Sequence, residues 1–207
     1  MKNLLVCLCA TALVFGIVYS ADATLYDMGD GTIYDKDTHL TWLKDVTMGG
    51  LRIWWEPTNR TGAVQWVEDL VFAGFDNWRL PIAVPNPEGP YITTYNMTGS
   101  ELGHIYYTEL GNAPALGGEP PPINTGPFLN LGQDVFWSSG DGAPGGMAWT
   151  FNFSGGGQNV GMIYDYYLGT WAVREGERCA PVPEPATMLL LVSGLVGLAG
   201  FRRLRKN

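Results

Sequence analysis

Apolar and polar positions alternate along residues 25–45, interrupted by the turn residues Gly29-Asp30-Gly31. A period of two predicts a hairpin in which Thr32-Ile33-Tyr34 lead on to Leu40-Thr41-Trp42-Leu43. The period then changes. Val64, Val67, Leu70 and Val71 recur at helical spacing, which predicts a helix capped by Thr61, running to about Ala73 and stopped by Gly74. Leu102, Ile105 and Tyr106 make a second helical stripe. Thr98 and Glu101 before it have capping-box spacing and Gly111 follows, so a second helix is expected over residues 100–110. Four late strands are expected near residues 135–138, 147–153, 160–163 and 170–174. Residues 82–97 and 113–132 are rich in proline and lack any period. They predict long loops, which serve either as binding segments or as disordered connections. No internal repeat is present. Strands, two helices and long loops in this order predict a mixed α+β domain.

The two ends of the chain follow other rules. Lys2, an apolar run over residues 4–18 and Ala21-Asp22-Ala23 read as the charged, apolar and cleavage regions of a secretory signal peptide, residues 1–23. At the C-terminus, Pro183-Glu184-Pro185 precede sixteen uncharged residues, 186–201, and then Arg202-Arg203-Leu204-Arg205-Lys206. As a helix the uncharged part spans about 24 Å, somewhat short of a hydrocarbon core of about 30 Å. Flanking residues and local thinning can cover that difference. The basic cluster is expected to stay cytoplasmic. The expected division is thus signal peptide 1–23, domain 24–178, linker 179–185, and transmembrane helix with basic tail 186–207.

Composition sharpens this picture in two places. Residues 24–178 hold eighteen Asp/Glu against seven Lys/Arg, a net of −11, so the domain is more acidic than the −8 of the whole chain. With no basic patch it has no electrostatic footprint for a phosphate backbone, and nucleic acid is excluded as a partner class. Of three cysteines, Cys7 and Cys9 belong to the signal peptide. Cys179 alone remains, so the mature chain forms no internal disulfide.

The tail resembles a PEP-CTERM sorting signal: Pro183, Glu184 and Pro185 match the motif, and Arg202, Arg203 and Arg205 match its basic end. The resemblance implies an exosortase, a membrane-embedded transpeptidase-like enzyme, as partner, with cleavage near the motif. It also implies a bacterium that makes exopolysaccharide, and a precursor held at the inner membrane before it reaches the surface or matrix. Between the ends, an ordered series of short motifs resembles the Lcl C-terminal domain family, named for the end of a collagen-like bacterial adhesin. The pieces are Asp30-Gly31-Thr32 with Asp35 and Thr38, Leu40-Thr41-Trp42, Trp78-Arg79-Leu80-Pro81, Glu101-Leu102, Phe136-Trp137-Ser138-Ser139, Ala148-Trp149 and Val173-Arg174. One departure is the long spacer between Pro81 and Glu101. The resemblance implies a C-type-lectin-like fold, a twisted antiparallel sheet flanked by two helices.

Candidate chemistry is sparse. Asp27, Asp30, Asp35, Asp37 and Asp45 cluster near the start, and calcium takes several carboxylate oxygens. Their spacing fits no EF-hand, and hairpin turns favour Asp on their own account. The Glu-Pro-Asn and Trp-Asn-Asp pairing of calcium-dependent lectins is missing, so no metal ligand or resident cofactor is assigned; calcium stays open. His39 and His104 lie in separate motifs, no hydrolase or zinc-protease signature occurs, and no catalytic residue is assigned. Ser138 and Ser139 are read as satisfying backbone, and Arg79 as structural, binding carbonyls before a turn. Of eight tryptophans, Trp42, Trp78, Trp137, Trp149 and Trp171 are read as core. Trp54 and Trp55, in a loop-like stretch, are the candidate binding residues, with Tyr164, Tyr166 and Tyr167 as further rings suited to stacking on sugars. The expected function is a non-enzymatic surface protein that binds exopolysaccharide or another matrix component. A self-associating adhesive protein and an envelope-glycan hydrolase are the alternatives.

Overall fold

Three short strands come out of the alternating N-terminal segment: β1 (Leu25–Asp27), β2 (Thr32–Asp35) and β3 (Leu40–Leu43). They belong to a computed structural model that describes residues 24–177 apart from 57, 59, 60, 118–121 and 133. The signal peptide, Cys179, the Pro-Glu-Pro motif, the apolar segment and the basic tail lie outside the described residues. β1 pairs antiparallel with β2, and β2 with β3 through Ile33 opposite Trp42 and Asp35 opposite Leu40. The expected hairpin is therefore two hairpins, turning at Gly29–Gly31 and again between Asp35 and Leu40. The domain's final strand, β9 (Val173–Glu175), adds to β3 and completes a four-stranded sheet in the order β1-β2-β3-β9.

A second, five-stranded sheet runs β4-β8-β5-β6-β7. Its central strands, β5 (Val135–Ser138), β6 (Met147–Asn152) and β7 (Gly157–Met162), form an antiparallel meander close to the expected positions. The short strands β4 (Leu51–Arg52) and β8 (Leu168–Gly169) close one side, with β8 parallel to β5 through Gly169 opposite Phe136. That crossing needs glycine, because a Cβ on Gly169 would lie 2.6 Å from the Phe136 ring. The architecture is α+β, as expected, with mostly antiparallel sheets and two short helices. Among the described residues no helix is long and apolar enough to cross a membrane.

Both helices depart from the simple pattern. α1 covers only Ala63–Glu68, with Gly62 rather than Thr61 at its N-cap and no side-chain cap. It cannot run to Ala73, because Ala73 and Gly74 both take positive φ, 52° and 85°. They form a tight turn across which Phe72 and Phe75 exchange both backbone hydrogen bonds. Tertiary contacts override helix propensity here. Phe72 packs edge-on to Trp78 at 6.2 Å, and the Phe75 ring lies 3.5 Å under the Arg174 guanidinium. α2 starts at Glu101 and continues, after Gly103, as a π-helical turn over His104–Glu109. The capping box is not formed: Ser100 is the N-cap and makes no cap hydrogen bond. Glu101 is taken by a distant partner, accepting two hydrogen bonds from the Arg79 guanidinium at 2.8 Å each and one from the Ile82 N–H at 2.7 Å. Arg79 is structural, as expected, but its main partner is this carboxylate; of the carbonyls it holds Leu80 O at 3.2 Å.

The core lies between the two sheets. Trp42, Trp137, Trp149 and Trp171 are at most 1% exposed and Trp78 is 4% exposed, which places all five tryptophans read as core inside. Ser139 behaves as expected, its hydroxyl bonding Leu80 O and Pro81 O. The proline-rich stretch 82–97 is an ordered loop, tied down by a buried polar knot around Gln158 of β7. The Gln158 amide donates to Val84 O and Asn86 Oδ1 and accepts from the Ser100 hydroxyl, while its backbone pairs with Thr94. Replacing Gln158 with Leu leaves Ser100 and Val84 O buried without that partner, and an unsatisfied buried group costs about 1–3 kcal/mol. Gln158→Leu is therefore expected to lower stability by at least about 2 kcal/mol in denaturant titration. It is also expected to open residues 82–97 to cleavage after Glu88 by a glutamate-specific protease; an unchanged midpoint and digestion pattern would refute the pinning role.

Candidate functional site

Trp54 and Trp55 leave β4 and run beside the N-terminus of α1. The fully buried Gln65 of α1 holds this stretch in the manner of a strand neighbour: its amide donates to Glu56 O at 3.0 Å and accepts from Glu56 N at 3.3 Å. Trp54 is half-buried, its ring 5.7 Å from Trp137 at a steep angle, and Trp137 itself donates from Nε1 to Arg52 O at 2.7 Å. Trp55 is half-buried as well. On the other side, Trp54 N–H donates to Ile163 O at 3.1 Å, and Ile163 opens the β7–β8 loop that carries the tyrosines. Tyr164, Tyr166 and Tyr167 are 59%, 52% and 66% exposed. The two stretches singled out in the sequence, more than a hundred residues apart, thus meet through a backbone hydrogen bond. Trp54 anchors and the tyrosines are presented. Leu51, on the edge strand β4, is 68% exposed.

The N-terminal aspartates do not converge. Asp27 pairs with Lys44 at 2.5 Å, and Asp30 accepts from the Thr32 N–H and hydroxyl. Asp45 does the same for Thr47 and also holds the Asn130 amide at 3.0 Å. The Lys44 ammonium and then the Gly29 N–H hold the Asp27 carboxyl below its ordinary value of 3.8. The Asn130 amide and then Thr47 do so for Asp45. Asp35 differs. Alternation puts it on the inner face of β2 with Ile33, and it is completely buried. There it meets His104 and Glu109, which sequence reading kept apart. Among the described residues this is the one group of three or more potential metal-ligating side chains.

Two concavities lie among the described residues. A wide groove of about 720 Å³ is lined by His39, Arg79, Ile82, Glu101 and Glu175 among others. Both of its acids face Arg79: Glu101 holds the guanidinium at 2.8 Å, while Glu175, 79% exposed, stands 3.8 Å away. A smaller cleft of about 200 Å³ beside β7 is lined by Thr93, Tyr95, Asn152 and Ser154. Ser139 sits in a backbone bridge with its hydroxyl on carbonyls, and no base reaches it.

A domain with its tryptophans packed inside, followed by a sorting tail, is the plan of a surface-sorted protein. Comparison with family models agrees: the Lcl C-terminal domain matches residues 31–174, and the PEP-CTERM protein-sorting motif matches residues 181–206. The chain belongs to the Lcl C-terminal domain family, and its tail makes it an exosortase substrate. No curated protein and no solved structure matches it.

Since both Asp27 and Asp45 have folded-state values below the unfolded ones, their stabilisation is complete well above 3.8 and is lost as pH falls through the lowered values. Both carboxylates are exposed and solvent-screened, so the effect is small. An Asp27→Asn/Asp45→Asn variant is expected to show a shallower acid limb in denaturant unfolding between roughly pH 2.5 and 6. An identical slope in both proteins would show that neither carboxylate contributes.

Proposed function

We propose that the domain, carried to the cell surface by its sorting signal, binds extracellular matrix, foremost an exopolysaccharide chain, through the Trp54–Trp55 stretch and the Tyr164–Tyr167 loop. The observation that carries this reading is three tyrosines more than half exposed on one short loop, backed by the anchored Trp54. Ring faces supply wide, sequence-tolerant contact, and phenolic hydroxyls supply hydrogen bonds at the wet edge, which is the chemistry a sugar chain asks for. The net charge of −11 over residues 24–178 favours a neutral or cation-bridged glycan over a strongly anionic one. We read the domain as non-catalytic, because the acids of the wide groove are ion-paired and Ser139 has no base. We also read the scaffold as C-type-lectin-like, supported by small antiparallel sheets, two helices and long connecting loops, while the mechanism of calcium-dependent lectins lacks its residues here.

The test is binding of the full chain, in detergent micelles, to exopolysaccharide from the producing cells, with and without a calcium chelator. Saturable binding is expected. A Tyr164→Ala/Tyr166→Ala/Tyr167→Ala variant should weaken it at least about tenfold, equivalent to about 0.5 kcal/mol at each ring. Trp55→Ala should add to that loss. Loss of binding in the chelator would bring calcium into the site. No binding by folded wild type, with concentration-dependent self-association abolished by Leu51→Lys, would replace this reading with an adhesive, self-associating protein.

A further inference from the structure

We propose that Asp35, His104 and Glu109 form a binding site for a first-row divalent transition-metal cation, with zinc(II) as the ion to probe. The three side chains each offer one donor atom, and those atoms all lie within 4.8 Å of one another. His104 Nε2 stands 3.1 Å from Glu109 Oε1 and 3.6 Å from Asp35 Oδ2. Tetrahedral zinc with bonds of about 2.0–2.1 Å sets neighbouring ligand atoms about 3.3 Å apart. These two separations bracket that edge; the third, between the two carboxylates, is bounded at 4.8 Å and has to close as the cation binds.

Burial strengthens the case. The side chains of Asp35 and Glu109 are 0% and 1% exposed. Holding two carboxylates out of water beside one another is costly unless positive charge meets both. His104 reaches both, and its 18% exposure leaves an approach for a water or fourth ligand. Each carboxylate is also steadied from outside. Glu109 Oε2 accepts from the Thr24 hydroxyl, and Asp35 accepts from the Thr38 hydroxyl and from the N–H groups of Asp37 and Thr38. Such outer hydrogen bonds are what orient metal ligands.

The helix supplies an independent observation. His104 opens the π-helical turn and Glu109 ends it. In an α-helix residues five apart are about 140° apart around the axis and cannot share a ligand. Closure from i to i+5, seen between Leu110 N–H and Ile105 O, brings positions 104 and 109 to the same side. Single π turns are rare and concentrate at functional sites. The donor set also selects the ion. Calcium takes six to eight oxygens, whereas one imidazole with two carboxylates suits zinc or its neighbours.

The full chain in detergent, stripped with a chelator and titrated with zinc chloride by calorimetry, should bind one ion per chain saturably. Thermal unfolding should move upward with zinc and return on chelation. His104→Ala and Glu109→Gln should each weaken binding at least about tenfold; Asp35 is left in place because it also holds the β2–β3 turn. Cobalt(II) in place of zinc should give visible bands without the ultraviolet thiolate band that Cys179 would produce. Absence of saturable zinc binding, equal binding in folded His104→Ala, a thiolate band, or tighter binding of calcium than of zinc would each overturn the proposal. The first of these would leave the trio as a hydrogen-bonded support between strand and helix. Polysaccharide binding by the tyrosine loop does not depend on either result.

Discussion

Trp171 stands where the chain passes from one sheet to the other, and the fold is organised around its ring. It lies 4.9 Å from Trp42 of the first sheet, 5.6 Å from Phe136 of the second, and 4.8 Å from Phe128 of the long loop. Its indole N–H donates to Leu43 O at 2.8 Å, fixing the ring to the backbone of β3. Thr170, Trp171 and Ala172 are all fully buried, so the crossover peptide is itself core. Truncating a ring of this kind costs about 3–5 kcal/mol, a large share of the roughly 5–15 kcal/mol that holds a domain folded. Beside it, the Thr170 hydroxyl and the Trp42 indole N–H are buried without a hydrogen-bond partner among the described residues.

From that centre the aromatic stretches near the second sheet follow. Trp54 packs edge-on against the buried Trp137, and its backbone N–H fixes Ile163 at the start of the tyrosine loop. Arg79 plays a comparable part on the first sheet. Burial works against its charge, yet the bidentate contact with Glu101 outweighs this and raises its pKa. That pair joins the segment after Trp78 to the start of α2, and so bears on where His104 and Glu109 stand.

Much of this was legible in the sequence where a pattern is local. Alternation over Thr32–Leu43 and Val135–Ser138 reads directly as strand, and tryptophans embedded in apolar runs read as core. The two aromatic candidates could be named, although not the backbone hydrogen bond that joins their stretches. What escaped were partners supplied from far along the chain. Glu101 has every sign of a capping residue until Arg79 is brought to it. Val71 looks like part of a helix stripe, yet the turn at Ala73-Gly74 ends that periodicity and leaves it 73% exposed. Gln158 carries no mark of the knot it ties in the proline-rich loop. Asp35 and Glu109 are separated by the whole first half of the domain, and only the π turn puts His104 between them. No period of two or 3.6 announces an i to i+5 closure.

The position of β9 sets where the sorting signal begins. It is the last strand of the first sheet, paired along β3, and seven residues separate Glu175 from Pro183. Seven residues reach about 25 Å at full extension. The Pro-Glu-Pro motif therefore lies within that distance of a finished sheet, and any enzyme that reads it works beside a folded body rather than on a long free tether.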